Sequence, residues 1–185
     1  MKRIPMSLVA GLAVGLVVLS DRAISTQDRY TVKVPGGLSF SEAKGYETWQ
    51  AVSISHGETA VALILANPIM IEAYKSGIPG NGKPFPDGSK MVKIHWVPKK
   101  SETAPSPTTV PGAFHDVDVM VKDSKRFADS AGWGWGAFEY EAATDSFRPA
   151  NLTDMPPQAN DAKCGLGCHT IVKNRDYVFT EYARR

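Results

Sequence analysis

Cysteine is scarce in this sequence, with Cys164 and Cys168 the two in 185 residues. A framework of several disulfides is thereby excluded, and the fold has to rest on an apolar core. No block of lysine and arginine is present, which removes the usual electrostatic footprint of a nucleic-acid binder. Internal repeats are absent too, so a solenoid or propeller is not expected. The longest apolar run, Leu8 to Leu19, falls short of the ~20 residues that a bilayer-spanning helix needs.

That short run reads instead as the centre of a secretory signal. Lys2 and Arg3 precede it, and Ala23-Ile24-Ser25 supplies small residues at a cleavage position. Cleavage after Ser25 is expected, with Ser20 as an alternative site and a retained membrane anchor as the competing reading. Residues 1–25 would then be the signal peptide and residues 26–185 a single domain exported to the periplasm. Losing Lys2, Arg3, Arg22 and Asp21 takes the 21 basic residues to 18 and the 19 acidic ones to 18, so the mature chain is formally neutral.

Along the rest of the chain the apolar pattern favours strands. Ser39 and Glu42 have capping-box spacing, predicting a short helix through about Trp49. Val52, Ile54 and His56 alternate with smaller residues, Gly57 turns the chain, and Thr59 to Leu65 can return as a second strand. Asn67-Pro68 is an N-cap followed by proline at the first helical position, predicting a helix over Ile69 to Ser76 closed by Gly77. Residues 77–89, with four glycines and three prolines, read as a long loop. Met91 to Val97 alternates, with Met91, Lys93 and His95 on one face. Residues 98–112 are rich in Pro, Ser and Thr and read as a flexible excursion. Phe114 to Val121 and the aromatic segment Trp133 to Tyr140 are further strands, with a helical turn between them at Asp123 to Asp129. The expected class is α+β, an antiparallel β-sheet with short flanking helices.

The chemistry-bearing segment is Cys164-Gly165-Leu166-Gly167-Cys168-His169. Two neighbouring thiols can reach the two vinyl groups of one porphyrin, and a histidine directly after the second can ligate its iron. The usual motif has two residues between the cysteines and this one has three, two of them glycine, which adapts to unusual backbone angles. Three other readings compete. A Cys164–Cys168 disulfide would close a very small loop. A zinc site has three ligands here and lacks an obvious fourth. A thioredoxin-like redox pair lacks its βαβ context. An export signal favours covalent haem over all three, because c-type haem is attached outside the cytoplasm.

Taken together, several landmarks resemble the cytochrome P-460 family. They are Tyr46 and Trp49, Asn67-Pro68, Asp87-Gly88 leading to Lys93, the stretch Val121 to Ala128 before the aromatic strand, and Asp176 to Thr180 after the haem motif. The resemblance spans essentially the whole mature chain. It implies a dimeric antiparallel sheet with one five-coordinate haem c, held by Cys164 and Cys168 with His169 as iron ligand. It also implies oxidation of hydroxylamine or nitric oxide, with a soluble cytochrome accepting the electrons. The β-sheet cytochromes c-prime, a related branch, imply nitric oxide or gas binding without turnover instead.

In the oxidising branch a lysine bonds a carbon of the porphyrin, and Lys93 matches it; a solvated strand lysine is the alternative. Two departures stand against oxidation. Ala62 falls where oxidising members carry an arginine, and Gln158-Ala159-Asn160-Asp161 stands where some carry a glutamate. Asp161 and His95 are the candidates to accept protons in its place. His56 and His115 read as structural or surface residues, and Asp116 and Asp118 as a solvated strand face. Met70, Met91, Met120 and Met155 are possible sixth ligands, which would make the chain a plain electron carrier. Trp133, Trp135, Phe138 and Tyr140 are expected in the core, with some lining a pocket above the iron.

Overall fold

A computed structural model describes residues 27–36, 38–151, 153 and 162–185. The expected signal peptide, Asp161 and Met155 lie outside the described residues.

Six strands form one antiparallel sheet in the order of the chain: β1 Gln50–His56, β2 Val61–Ala66, β3 Lys90–Lys100, β4 Thr109–Lys122, β5 Trp133–Glu141 and β6 Ser146–Pro149. Every sequential pair is antiparallel, although β2 and β3 are joined through residues 67–89, which include a helix, and not through a tight turn. Gly57 closes the first turn by donating its amide to the Ala60 carbonyl at 2.8 Å.

The period of two sends successive side chains to opposite faces. Leu65, Val92, Val119 and, one row on, Ile94, Val117 and Phe138 face a core completed by Leu38, Phe40 and Phe147. Phe40 lies edge-on to Phe138 at 5.0 Å between ring centres. The other face carries two rows read directly from the register. One is Ser53, Ile64, Lys93, Asp118 and Ala137; the next is Ser55, Ala62, His95, Asp116 and Glu139. Beside them, Met91, Met120, Trp133 and Trp135 pack under the helix α1 Pro68–Lys75 and Val178 of the C-terminal segment. The Asn67 side chain caps α1 by accepting from the Met70 amide at 3.1 Å, with Pro68 at the first turn, as the sequence predicts.

Two local expectations are corrected. The segment from Ser39 to Trp49 is not one helix but two 3-10 turns, Phe40–Ala43 and Tyr46–Thr48, divided by Gly45 at φ 82°. Ser39 caps the first turn through the Ser41 amide. The Glu42 carboxylate, however, does not close the box; it accepts from Lys90 at 2.8 Å and from Arg126, tying the turn to the sheet. Residues 98–112 are likewise more ordered than their composition suggests. β3 and β4 continue to the pair Lys100–Thr109, leaving residues 101–108 as the loop. Pro98 faces Pro111 next to a register shift, where neither residue is asked for an N–H in a regular ladder.

After β6 the chain returns to the cavity face. There a short helix α2, Gly165–His169, runs into the 3-10 segment Thr170–Arg175 and an extended tail. Tyr74 of α1 holds the tail by donating to the Thr180 carbonyl at 3.1 Å and stacking on Tyr182 at 5.6 Å.

Candidate haem site

Between the sheet and the C-terminal segment lies a cavity of about 530 Å³, within the ~300–1,000 Å³ of cofactor pockets. Its sheet wall includes Ser53, Ser55, Ile64, Met91, Lys93, Asp118, Met120 and Trp135. Its opposite wall is Cys164, Gly165, Cys168, His169 and the tail from Val178 to Glu181.

The three-residue gap between the cysteines makes sense on this backbone. Cys164 is already in the right-handed helical region at the start of α2, so Cys164 and Cys168 are i and i+4 and lie on one helical face. They are not joined by a disulfide. Gly165 is the position where α2 touches the sheet, because a Cβ there would overlap the Trp135 indole ring. At Gly167 a Cβ would meet nothing within 4 Å. One of the two glycines is thus imposed by packing and the other is not.

His169 is oriented from behind. Its Nδ1 lies 2.7 Å from the Tyr177 carbonyl oxygen, which only accepts, so Nδ1 carries the hydrogen and Nε2 keeps its lone pair. Phe179 stands edge-on at 4.8 Å, and Trp135 is tilted at 5.4 Å. Burial pulls the His169 pKa down; the Tyr177 hydrogen bond opposes this and the nearby Lys93 charge adds to it. The imidazole is therefore held in the neutral form that binds metals.

Tyr177 is itself fixed by an unusual turn. Asp176 and Tyr177 are consecutive left-handed residues, φ 48° and 64°. Asp176 accepts from Lys122 at 2.9 Å and from the Phe85 amide at 2.8 Å, while Lys122 also donates to the Ala131 carbonyl and sits over Trp133.

These residues fit a haem. Two thiols on one helical face, an imidazole with Nε2 open and a largely apolar cavity are the donors and surroundings such a group requires. The buried Nε1 of Trp135, on the sheet wall, has no protein acceptor.

A family model described as cytochrome P460 matches residues 43–180. The chain belongs to the cytochrome P460 family. Membership implies haem binding, and the match covers the whole sheet together with α2 and most of the cavity-lining tail. No curated protein matches the chain.

Of the residues singled out in the sequence, Cys164, Cys168, His169 and Lys93 meet in this one P460 cavity. His95 stands one row away from Lys93, bonded through Nδ1 to Asp116 and 3.9 Å from Asp118. Met91 and Met120 also line the cavity, whereas Met70 is fully buried on the inner face of α1.

The reading of Asp116 and Asp118 as a solvated face is corrected. Asp116 is only 17% exposed and accepts from both His95 and, at 2.6 Å, His115. Asp118 keeps 43% of its side-chain surface and lines the cavity. Burial, and then the like charge of Asp116, pushes Asp118 up to about 6. For Asp116 burial acts upward, but hydrogen bonds from His95 and His115 outweigh it and hold the carboxyl below the ordinary range. Asp118 is the cavity residue that sequence reading missed. Its strand alternation with Val117 and Val119 places it opposite the apolar core, but only the register with Lys93 brings it to the cavity.

Proposed function

We propose that this P460-family protein is an exported, mono-haem c-type cytochrome that oxidises hydroxylamine or nitric oxide. The observation that carries the reading is the meeting of Cys164, Cys168, His169 and Lys93 around one cavity. Cys164 and Cys168 would form the two thioethers, and Nε2 of His169 would ligate the iron, its ring held by the Tyr177 carbonyl. Bound haem supplies an iron that binds a small ligand and passes electrons one at a time. Lys93, which lines the sheet wall, would make the lysine–porphyrin bond of the oxidising branch. Ile64, Met91 and Met120 give the cavity an apolar wall. Export rests on the signal-like residues 1–25, with a soluble periplasmic cytochrome as electron acceptor and a homodimer as the assembly.

A second reading is a gas-binding protein of the c-prime type. It is favoured by Ala62, which pairs with His95 on the cavity-side face where oxidising relatives are expected to place an arginine.

Intact mass and the reduced optical spectrum of the protein, produced with c-type maturation, decide the first step. Added haem mass with a strongly red-shifted Soret band, followed by hydroxylamine-dependent reduction of a cytochrome acceptor, is the expected result. Haem mass with an ordinary Soret band, tight nitric oxide binding and no turnover would select the second reading. Failure to bind carbon monoxide would identify a sixth protein ligand, for which Met91 and Met120 of the cavity wall would be the candidates. No added mass would reject both readings.

A further inference from the structure

We infer that His115, Asp116 and Glu139 form a binding site for a divalent transition metal of the zinc class, one sheet row beyond Lys93 and Asp118. The site is separate from the haem chemistry proposed above and does not rest on it. Among the described residues, one ligand atom from each of the three lies within 4.8 Å of the other two.

The strand pattern alone would not bring them together. Asp116 pairs with His95 of β3 on one side and with Glu139 of β5 on the other. Carboxylates directly opposite one another repel across an antiparallel pair, which a shared cation would relieve. Both are only 17% exposed. Simple alternation would turn His115 away from Asp116. The structure differs because His95 pairs with Asp116 and Trp96 with Phe114, so His115 is an extra residue in β4. Phe114 packs on the core, Asp116 lies on the opposite face, and the bulge re-aims the imidazole towards the carboxylates.

His115 Nδ1 lies 2.6 Å from Asp116 Oδ2, and its Nε2 lies 3.7 Å from Glu139 Oε1. The second separation is too long for a hydrogen bond. It suits two ligands of one ion, since nitrogen and oxygen bind zinc at about 2.0–2.2 Å. His95 donates from Nδ1 to the other oxygen of Asp116 and acts as a positioning residue for that carboxylate. Imidazole with carboxylate is a donor set that divalent transition metals accept. His115 is 45% exposed, so an ion can enter from solvent and water can complete its coordination. A second triad, His95, Asp116 and Asp118, has similar spacing. There, however, the nitrogen 3.9 Å from Asp118 is the one that already donates to Asp116, so it offers an ion no lone pair.

The test is zinc uptake by the untagged, haem-loaded protein, in which the thioethers remove Cys164 and Cys168 as competing zinc ligands. In protein without haem, alkylating both thiols serves the same purpose. Equilibrium dialysis against Zn²⁺, with the metal counted by elemental analysis, should give one zinc per chain. His95→Phe should weaken the affinity by about 10–100-fold. His115→Ala and Glu139→Gln, which remove ligands, should weaken it at least as much and leave the haem spectrum unchanged. Asp118→Asn should retain zinc. If the His95 or Glu139 variant fails to fold, His115→Ala decides, because its side chain is the most exposed of the three ligands. No zinc in the wild type, undiminished uptake in His115→Ala or Glu139→Gln, or loss of zinc in Asp118→Asn would overturn the site. Absence of hydroxylamine turnover would reject the proposed oxidation and leave this result untouched.

Discussion

Lys122 donates to both carboxylate oxygens of Asp176, at 2.9 and 3.1 Å, with the two side chains only 8% and 11% exposed. The pair joins the end of β4 to the turn that carries the Tyr177 carbonyl. Left-handed backbone at two non-glycine residues in succession is unfavourable by itself, on the order of 1–3 kcal/mol per residue. It persists because Lys122 and the Phe85 amide hold Asp176 from two sides. The orientation of His169 therefore depends on a contact made on a different element of the fold.

Asp176→Ala should accordingly act at two levels. It strands a buried ammonium and an amide donor, and loss of one partner of a buried pair costs about 3–5 kcal/mol. Denaturant unfolding should show an unfolding free energy lowered by that amount. In the haem-loaded protein the optical spectrum should change as well, since the Tyr177 carbonyl is no longer fixed behind His169. A variant with wild-type stability would show that Lys122 does not depend on Asp176.

The two glycines of the cysteine motif should respond oppositely. Gly165→Ala forces a methyl into the Trp135 ring, and overpacking of this kind costs about 1–3 kcal/mol. Because the overlap lies between the two thiols, haem incorporation should fall with stability. Gly167→Ala meets open space in a helical segment, and alanine is favoured there by up to about 1 kcal/mol. Intact mass and thermal melting of the two variants measure this directly. Equal behaviour would mean that α2 does not pack against β5 as described.

Much of this was legible in the sequence, and what was not has physical causes. The alternation of Met91, Lys93 and His95 fixed which face they share, and Asn67-Pro68 marked the start of α1. Cys164, Cys168 and His169 marked a candidate haem motif, but their irregular spacing left other readings open until the family match favoured haem. By contrast, Glu42 looked like half of a capping box because its partners Lys90 and Arg126 are distant in the chain. Pro98 and Pro111 read as breakers, although they face one another at an irregular part of a long hairpin. Ser146–Pro149 is too short to carry a periodic signal and joins the sheet through the register of β5. Asp118 needed the same kind of information: composition gives a strand aspartate, and only pairing with Lys93 gives a cavity carboxylate.

Stability should carry the signature of Asp118 in its pH dependence. Its folded pKa of about 6 lies above the ordinary 3.8, so between these values the folded chain holds a proton that the unfolded chain releases. The contribution of this group is fully present below 3.8 and is lost as pH rises through 6. Asp116, held below 3.8, acts in the opposite sense and loses its contribution only at lower pH. Asp118→Asn should therefore gain stability relative to wild type as pH rises from about 4 to above 6. Melting temperatures of both proteins across that window check the sign. A difference independent of pH would place Asp118 in contact with bulk water.

Lys93 distinguishes the two functional readings most directly. It lines the cavity in the same sheet row as Ile64 and Asp118, and its charge is felt at His169 on the far wall. If its amine is bonded to the porphyrin, Lys93→Ala should retain the haem, because Cys164 and Cys168 hold it independently. The red-shifted Soret band should then return to an ordinary c-type position, and hydroxylamine turnover should fall with it. If Lys93 is only a cavity lysine, the spectrum should barely change. Turnover that survives Lys93→Ala unchanged would remove the lysine from the mechanism, whereas nitric oxide affinity that survives alone would leave a gas-binding protein.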